Sequence, residues 1–191
     1  MVVCAGGAWT SSFCRSMGIT FPQLTVLGTV ARTAPTREIL EGEAWCPAIA
    51  IRRRADGGYT VAHGGSFLHS MTPSTLRHAR KFWPALLQDH ESIRVRVGWG
   101  CFEALRTPSK WVIDEVSPFE RQRILHPEPE KQVLHQMRAA LERWFPEIAP
   151  AAFVESWGGM IEASPDVLPV ISHVDGHEGF LVASGFSGHG F

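Results

Sequence analysis

The sequence predicts an α+β fold: a mixed, largely antiparallel sheet with flanking helices. Three features carry that expectation. "PAIAIRRRADGGYTVAHGG" sets two alternating runs on either side of Asp56-Gly57-Gly58. Glycine supplies the positive φ that hairpin turns demand, so a β-hairpin is expected over 47–63. Two longer stretches, 73–87 and 128–145, repeat apolar residues at helical spacing. The other apolar runs are short and bounded by glycine and proline. That gives a β-rich order with intervening helices and long-range strand pairing.

In chain order, "MVVCAGG" is an apolar run closed by glycines and reads as a buried strand, with parallel pairing open to it. "AWTSSFCRSMG" reads as a short helix capped by Gly18. "LTVLGTVARTAP" is a strand ending in a proline-bounded turn. The hairpin follows. "TPSTLRHARKFWPALL" opens with Thr72-Pro73, a good N-cap and first-turn pair. "SIRVRVG" alternates strictly over 92–97, with Ile93, Val95 and Val97 on one face and Arg94 and Arg96 on the other. "EPEKQVLHQMRAALERWF" places Leu134, Met137, Leu141, Trp144 and Phe145 on one helical face, behind a start rich in acids and prolines. "FVESWGGMIEASPDVLPVIS" and "GFLVASG" read as strands separated by turns.

Bulk properties narrow the function. The 191 residues suffice for one substantial domain with a real core. Apolar residues make 45% and charged ones 19%, a globular balance. The formal charge is 18 − 19 = −1, which argues against nucleic acid or an anionic membrane as partner. No run reaches membrane-spanning length and no signal peptide is visible. Cys4, Cys14, Cys46 and Cys101 show no C-x-x-C pairing, which suits a reduced, cytoplasmic chain.

Three stretches could carry chemistry. Ala5-Gly6-Gly7-Ala8 lets another group approach the backbone, as turns against nucleotides do; an ordinary glycine turn is the plainer reading. "WGGMIEASPDVLPVIS" reads plainly as strand, proline turn and strand, with Asp166 bonded to backbone. "GFSGHGF" is a weak G-x-x-G-x-G signal, and the dinucleotide fingerprint G-x-G-x-x-G occurs nowhere.

In this order, "AGGAW", then "WGG" with "PDVLPVI", then "GFLVASGFSGHGF" resemble the D-amino-acid oxidase-like family of FAD-dependent oxidoreductases. That family includes glycine-, sarcosine- and D-amino-acid-oxidising flavoproteins. The resemblance covers essentially the whole chain, but only the later part of a family member. It implies that FAD is the cofactor and that its ADP half is held by a fingerprint the chain lacks. It implies a mixed sheet covering the flavin, and a glycine loop returning to it before a final helix. The chain is accordingly expected to be truncated at both ends and, alone, to be inactive and not to retain FAD. Expected boundaries are 1–18 as a remnant of the FAD-binding domain, 19–163 as the substrate domain, and 164–191 as the return. Expected cofactor contacts are Ala5, Gly6, Gly7, Gly185, Ser187, Gly188, His189 and Gly190. The implied reaction is hydride transfer from a C–H beside an amine nitrogen, then imine hydrolysis, on a small amine or amino acid.

One departure matters. Some amino-acid-oxidising relatives carry an arginine just after the Trp-x-Gly element, where it binds the substrate carboxylate bidentately. Here that place falls on Met160 or Ile161. Either the carboxylate is held elsewhere or the substrate differs. Arg52 and Arg54 are candidates to hold it, against the plainer reading of solvated edge-strand charges. His173 and His177 flank the turn residues Asp175-Gly176, so no metal site is expected from their spacing. No Ser-His-Asp triad can be argued, and no catalytic residue is assigned. Flavin-dependent amine oxidation asks the protein to orient and desolvate the substrate. The alternatives are a non-catalytic β-rich binding domain, a hydroxy-acid-oxidising flavoenzyme, and a metal-dependent hydrolase built on the histidines.

Overall fold

A computed structural model describes residues 1–65, 67–88, 93–96, 108, 110–112 and 114–188. Its strands are β1 (Val2–Cys4), β2 (Leu24–Thr33), β3 (Glu43–Cys46), β4 (Ile49–Arg53), β5 (Tyr59–Ala62), β6 (Phe67–Ser70), β7 (Ile93–Arg96), β8 (Phe153–Ala163), β9 (Val170–His173) and β10 (Phe180–Ser184). The helices are α1 (Thr10–Ser16), α2 (Pro73–Gln88), α3 (Pro118–Arg121) and α4 (Lys131–Trp144), with a 3₁₀ turn over Gly7–Trp9.

The strands form two sheets. The larger runs β3-β4-β5-β2-β6-β7, and β8 pairs along the other edge of β2. All its described pairings are antiparallel except β6 with β7. This is the mixed, largely antiparallel α+β fold expected. The 47–63 hairpin is β4 and β5, closed by a turn in which Gly57 takes φ 83° and its N–H donates to Arg54 O at 3.1 Å. The smaller sheet is β1-β10-β9, with β1 parallel to β10. Residues near the two ends of the described chain therefore lie side by side.

The sequence explains each sheet's cover. On α4, Val133, Met137 and Leu141 recur every four residues and are buried against Ala31, Ile49, Ile51, Tyr59 and Val61. Each such side chain contributes about 1.5–3 kcal/mol on burial. The apolar stripe is rotated from the one expected: Leu134 is only half-buried, and Trp144 is 54% exposed, its ring 5.5 Å from Arg143. The Arg138 guanidinium donates to Ala149 O and Ala151 O and lies 4.0 Å over the Phe153 ring, tying α4 to the start of β8. Gly18 ends α1 as expected. At φ 79° its N–H donates to Arg15 O, and the Ile19 N–H donates to Cys14 O, the two bonds of a Schellman cap. α1 seals the small sheet through Cys4, Cys14, Phe180 and Val182.

Two features differ from expectation. β3 and β6 are strands the sequence reading did not contain. β7 is described over Ile93–Arg96, so 92 and 97 of the expected 92–97 strand lie outside the described residues. On it Val95 is 54% exposed, Arg94 is half-buried and donates to Gln132, and Arg96 is exposed and pairs with Glu130.

Candidate active site

Cross-strand register builds the site. Positions paired across a sheet share a face. Trp45 pairs with Ala50, Ala50 with Ala62, Ala62 with Val30, and Val30 with Trp157, one row crossing five strands. The neighbouring pairs on this face are Gly28 with Gly159, Val26 with Ile161 and Leu24 with Ala163. The row Ala31-Val61-Ile51 alternates to the other face, under α4. The open face carries a cavity of about 600 Å³, lined by Val26, Gly28, Val30, Ala50, Ala62 and Ile161 among others. Its floor is made of small residues. A Cβ built on Gly159 would meet nothing within 4 Å, so this part of the face is bare.

The cavity is apolar. Among its described lining residues the titratable one is His63. Burial, and secondarily the positive charge of Arg94, hold the His63 imidazole below the ordinary histidine range. It is therefore neutral at pH 7. No arginine or lysine is among the described lining residues.

Two glycine turns reach the far end of β8. Because β1 and β10 are parallel, Ala5–Gly7 and Gly185–Gly188 leave the same end of the small sheet, the carboxyl end, where open α/β sheets bind ligands. Gly7 has φ 53°, and its carbonyl accepts from Gln23 Nε2 at 2.7 Å. Gln23 Oε1 in turn accepts from Ser11 N at 2.8 Å. A Cβ on Gly7 would lie 3.8 Å from Glu162 Oε2. Gly185 and Gly188 have φ 81° and 80°, and between them Ser187 is left-handed at φ 53°. Ser187 Oγ donates to Gly185 O at 3.0 Å, which holds the turn closed. A Cβ on Gly188 would lie 3.6 Å from Ile161 Cγ2. The two turns thus approach successive residues of one strand, Ile161 and Glu162, whose side chains point to opposite faces.

The expected residues fall as follows. Ala5, Gly6, Gly7, Gly185, Ser187 and Gly188 gather at this end, and Ser187 and Gly188 also line the cavity. His189 and Gly190 lie outside the described residues. Ile161 faces the cavity, whereas Met160 faces the other side, opposite Leu27. Arg52 is exposed on the open face, in a shallow depression that adjoins the cavity at Trp45, Ala50 and Ala62. Arg54 closes the hairpin instead, its Nε donating to Asp56 at 3.1 and 3.2 Å. Around His173 and His177 no group of three metal-binding side chains forms among the described residues.

A flavin's demands fit what is present. The buried hydroxyls Thr10 Oγ1, at the start of α1 just after the first glycine turn, and Ser184 Oγ, at the end of β10 just before the second, have no hydrogen-bond partner. The turns offer backbone without side chains. A Cβ on Gly6 would sit 3.2 Å from Thr10 Oγ1, so that turn already has no room to spare. The family described as DAO, FAD dependent oxidoreductase, matches residues 1–191. The chain belongs to this family. FAD is accordingly the family's cofactor. Among solved structures, L-amino acid deaminase from Proteus myxofaciens, in complex with anthranilate, is similar with a TM-score of 0.88 at 30% identity, over 96% of this chain and 41% of that one. L-amino acid deaminase from Proteus vulgaris is similar with a TM-score of 0.87 at 23% identity, over 97% of this chain and 43% of that one. Glycine oxidase from Geobacillus kaustophilus shares the fold at a TM-score of 0.61 and 14% identity, over 96% and 35%. No curated protein sequence matches. The chain thus spans less than half the length of these structures. Among the described residues no helix is long and apolar enough to cross a membrane.

The sequence reading missed most of the cavity wall. The available signal was Gly28, a glycine in the middle of a β-branched strand, which marks close approach of another group.

Proposed function

We propose that this chain is the substrate-binding portion of an FAD-dependent oxidoreductase that oxidises an amine or amino acid. The observation that carries the proposal is the apolar, small-floored cavity with a glycine turn, Gly185–Gly188, on its rim. The similarity to L-amino acid deaminase from Proteus myxofaciens, 30% identical over 96% of this chain and named for amino acids as its substrates, supports the substrate class. When bound, FAD supplies the two-electron acceptor for the hydride on the carbon beside the amine nitrogen. The chain's residues do the rest. Ala5, Gly6, Gly7, Gly185, Ser187 and Gly188 hold the cofactor by close backbone approach; His189 and Gly190, expected with them, lie outside the described residues. Val26, Val30 and Ile161 exclude water and hold the substrate's apolar part. Arg52 lies on the same face and meets a carboxylate if the substrate reaches toward β4. The resulting imine is hydrolysed by water. In this reading residues 1–18 and 164–191 belong with a dinucleotide-binding portion, residues 19–163 form the substrate domain, and FAD retention needs the fingerprint absent from 1–191.

The test is the flavin spectrum of the complete gene product, kept anaerobic, as amines and amino acids are added. Bleaching of a bound flavin by one substrate class is the expected result. A preparation with no flavin would refute the cofactor site. A bound flavin that no amine or amino acid bleaches would refute the substrate assignment.

A further inference from the structure

Two cavities share one lining residue. The inner one is the apolar chamber of about 600 Å³. The outer one, about 570 Å³, lies between α2 and the turn that follows β8. Phe21, Pro22, Pro84 and Val170 give it apolar wall, and Lys81 and Asp166 are the ionised groups among its described lining residues. Val167 is the one described residue that lines both.

Val167 sits on a costly backbone. Its φ is 61°, the left-handed region that glycine enters freely and a β-branched residue enters only under strain. The turn around it is fixed. The Val167 N–H donates to Ser164 O at 3.2 Å, Ser164 Oγ donates to Leu168 O at 2.8 Å, and the Leu168 N–H donates to Asp166 Oδ1 at 3.2 Å. Glycine would suit this backbone better. What valine adds is an isopropyl group, on a residue 42% exposed, at the border of both cavities.

We propose that the outer cavity is the vestibule for a zwitterionic amino acid with an apolar side chain, and that Val167 is the gate between it and the inner chamber. The proposal rests on the inner chamber being the substrate site. In the vestibule the Lys81 ammonium meets the carboxylate. The Asp166 carboxylate, with only Oδ1 engaged by Leu168, keeps Oδ2 for the substrate's ammonium. The apolar wall takes the side chain. A gate changes the barrier between two chambers and not the depth of either, so altering it moves entry and exit together.

The test uses α-methylphenylalanine, an amino acid with no Cα–H, which binds without being oxidised. Stopped-flow tryptophan fluorescence of the complete gene product reads its association and dissociation. Val167→Gly is expected to speed both several-fold, with a smaller change in Kd than in either rate, and Val167→Phe to slow both. Lys81→Gln and Asp166→Asn are each expected to slow association at low salt and to match the parent at high salt. If the probe binds and Val167→Gly leaves both rates unchanged, the gate is overturned and the substrate chamber stands. If the two charge variants associate as fast as the parent at low salt, the vestibule is overturned. If the parent protein does not bind the probe, the substrate chamber falls and the gate with it.

Discussion

Gly158 and Gly159 are neighbours in β8, yet the same substitution should have opposite consequences at the two. A Cβ on Gly158 would lie 2.6 Å from Pro127 O, 2.8 Å from Leu27 Cδ1 and 3.1 Å from Glu128 O. Two of these are backbone oxygens, which cannot rotate away. They belong to the segment that leads into α4, held here by the Gly158 N–H donating to Pro127 O at 3.2 Å and by the Glu130 N–H donating to Thr29 Oγ1 at 3.0 Å. Overpacking of this kind costs about 1–3 kcal/mol, and losing the Gly158 bond costs about 1 kcal/mol more. Gly158→Ala should therefore destabilise the chain by roughly 2–4 kcal/mol, which lowers Tm by roughly 5–15 °C in a domain of this size. A Cβ on Gly159 points into open space, so Gly159→Ala should stay within about 0.5 kcal/mol of the parent. Urea and thermal unfolding followed by circular dichroism measure both. Equal midpoints for the two variants would refute the assignment of faces on β8, and with it the cavity built from that assignment.

Three further outcomes follow from the same geometry. His69 is buried, with Nδ1 donating to Thr25 O at 2.7 Å and Nε2 accepting from Thr75 Oγ1 at 2.9 Å. Burial holds His69, His63 and His78 below the ordinary histidine range. As pH falls through about 6.5, the unfolded chain takes up protons before the folded one does, so stability is full above that pH and is lost below it. Urea midpoints at pH 8 and pH 5.5 read this, and equal midpoints would count against it. The Cys14 thiol is pushed up to about 11 by burial first and then by the neighbouring Cys4, so iodoacetamide at pH 8 should label Cys14 only as fast as the chain unfolds; rapid labelling of the folded chain would contradict its burial. Gly188→Val should cost about 1–3 kcal/mol in backbone strain while leaving the fold intact, because the nearest atoms, on Ile161, are 3.6 and 3.8 Å from a Cβ. Flavin affinity of the complete gene product should fall sharply in that variant, and an unchanged affinity would make the turn a mere surface feature.

What the sequence made legible was local. The hairpin, the Gly18 cap and the Thr72 cap on α2 are set by residues within a few positions of one another, and φ above zero at Gly57, Gly185 and Gly188 follows from glycine-rich turns. β3 and β6 escaped because each is four residues long with weak alternation. β6 buries a histidine only because Thr25 and Thr75 satisfy it, and Thr25 lies 44 residues away. The partners of the β7 arginines were equally out of reach, since Arg94 finds Gln132 on α4 and Arg96 finds Glu130 just before it, more than thirty residues away. The cavity itself is a product of register. Period two assigns Val26 and Gly28 to one face of β2, but only pairing with β5 and β8 brings Ala62 and Ile161 beside them.

The apolar chamber also constrains the chemistry proposed for it. Removing a hydride from the carbon beside nitrogen needs the nitrogen lone pair, so the reacting amine must be neutral. Free amino acids carry an ammonium at pH 7. Among its described lining residues the chamber offers no carboxylate to stabilise that charge, and its one imidazole is held neutral. Desolvation there disfavours the ammonium and lowers its pKa, which favours the reactive form. The same desolvation penalises entry of the charged molecule. A site that gains in the chemical step by being apolar therefore benefits from a polar place outside it that receives the charged molecule. In the proposed arrangement, the cavity with Lys81 and Asp166, which shares Val167 with the chamber, takes that part. The division of charge between the two cavities, and the strain retained at the residue that lines both, are then two parts of one proposed solution to the entry of a zwitterion into an apolar site.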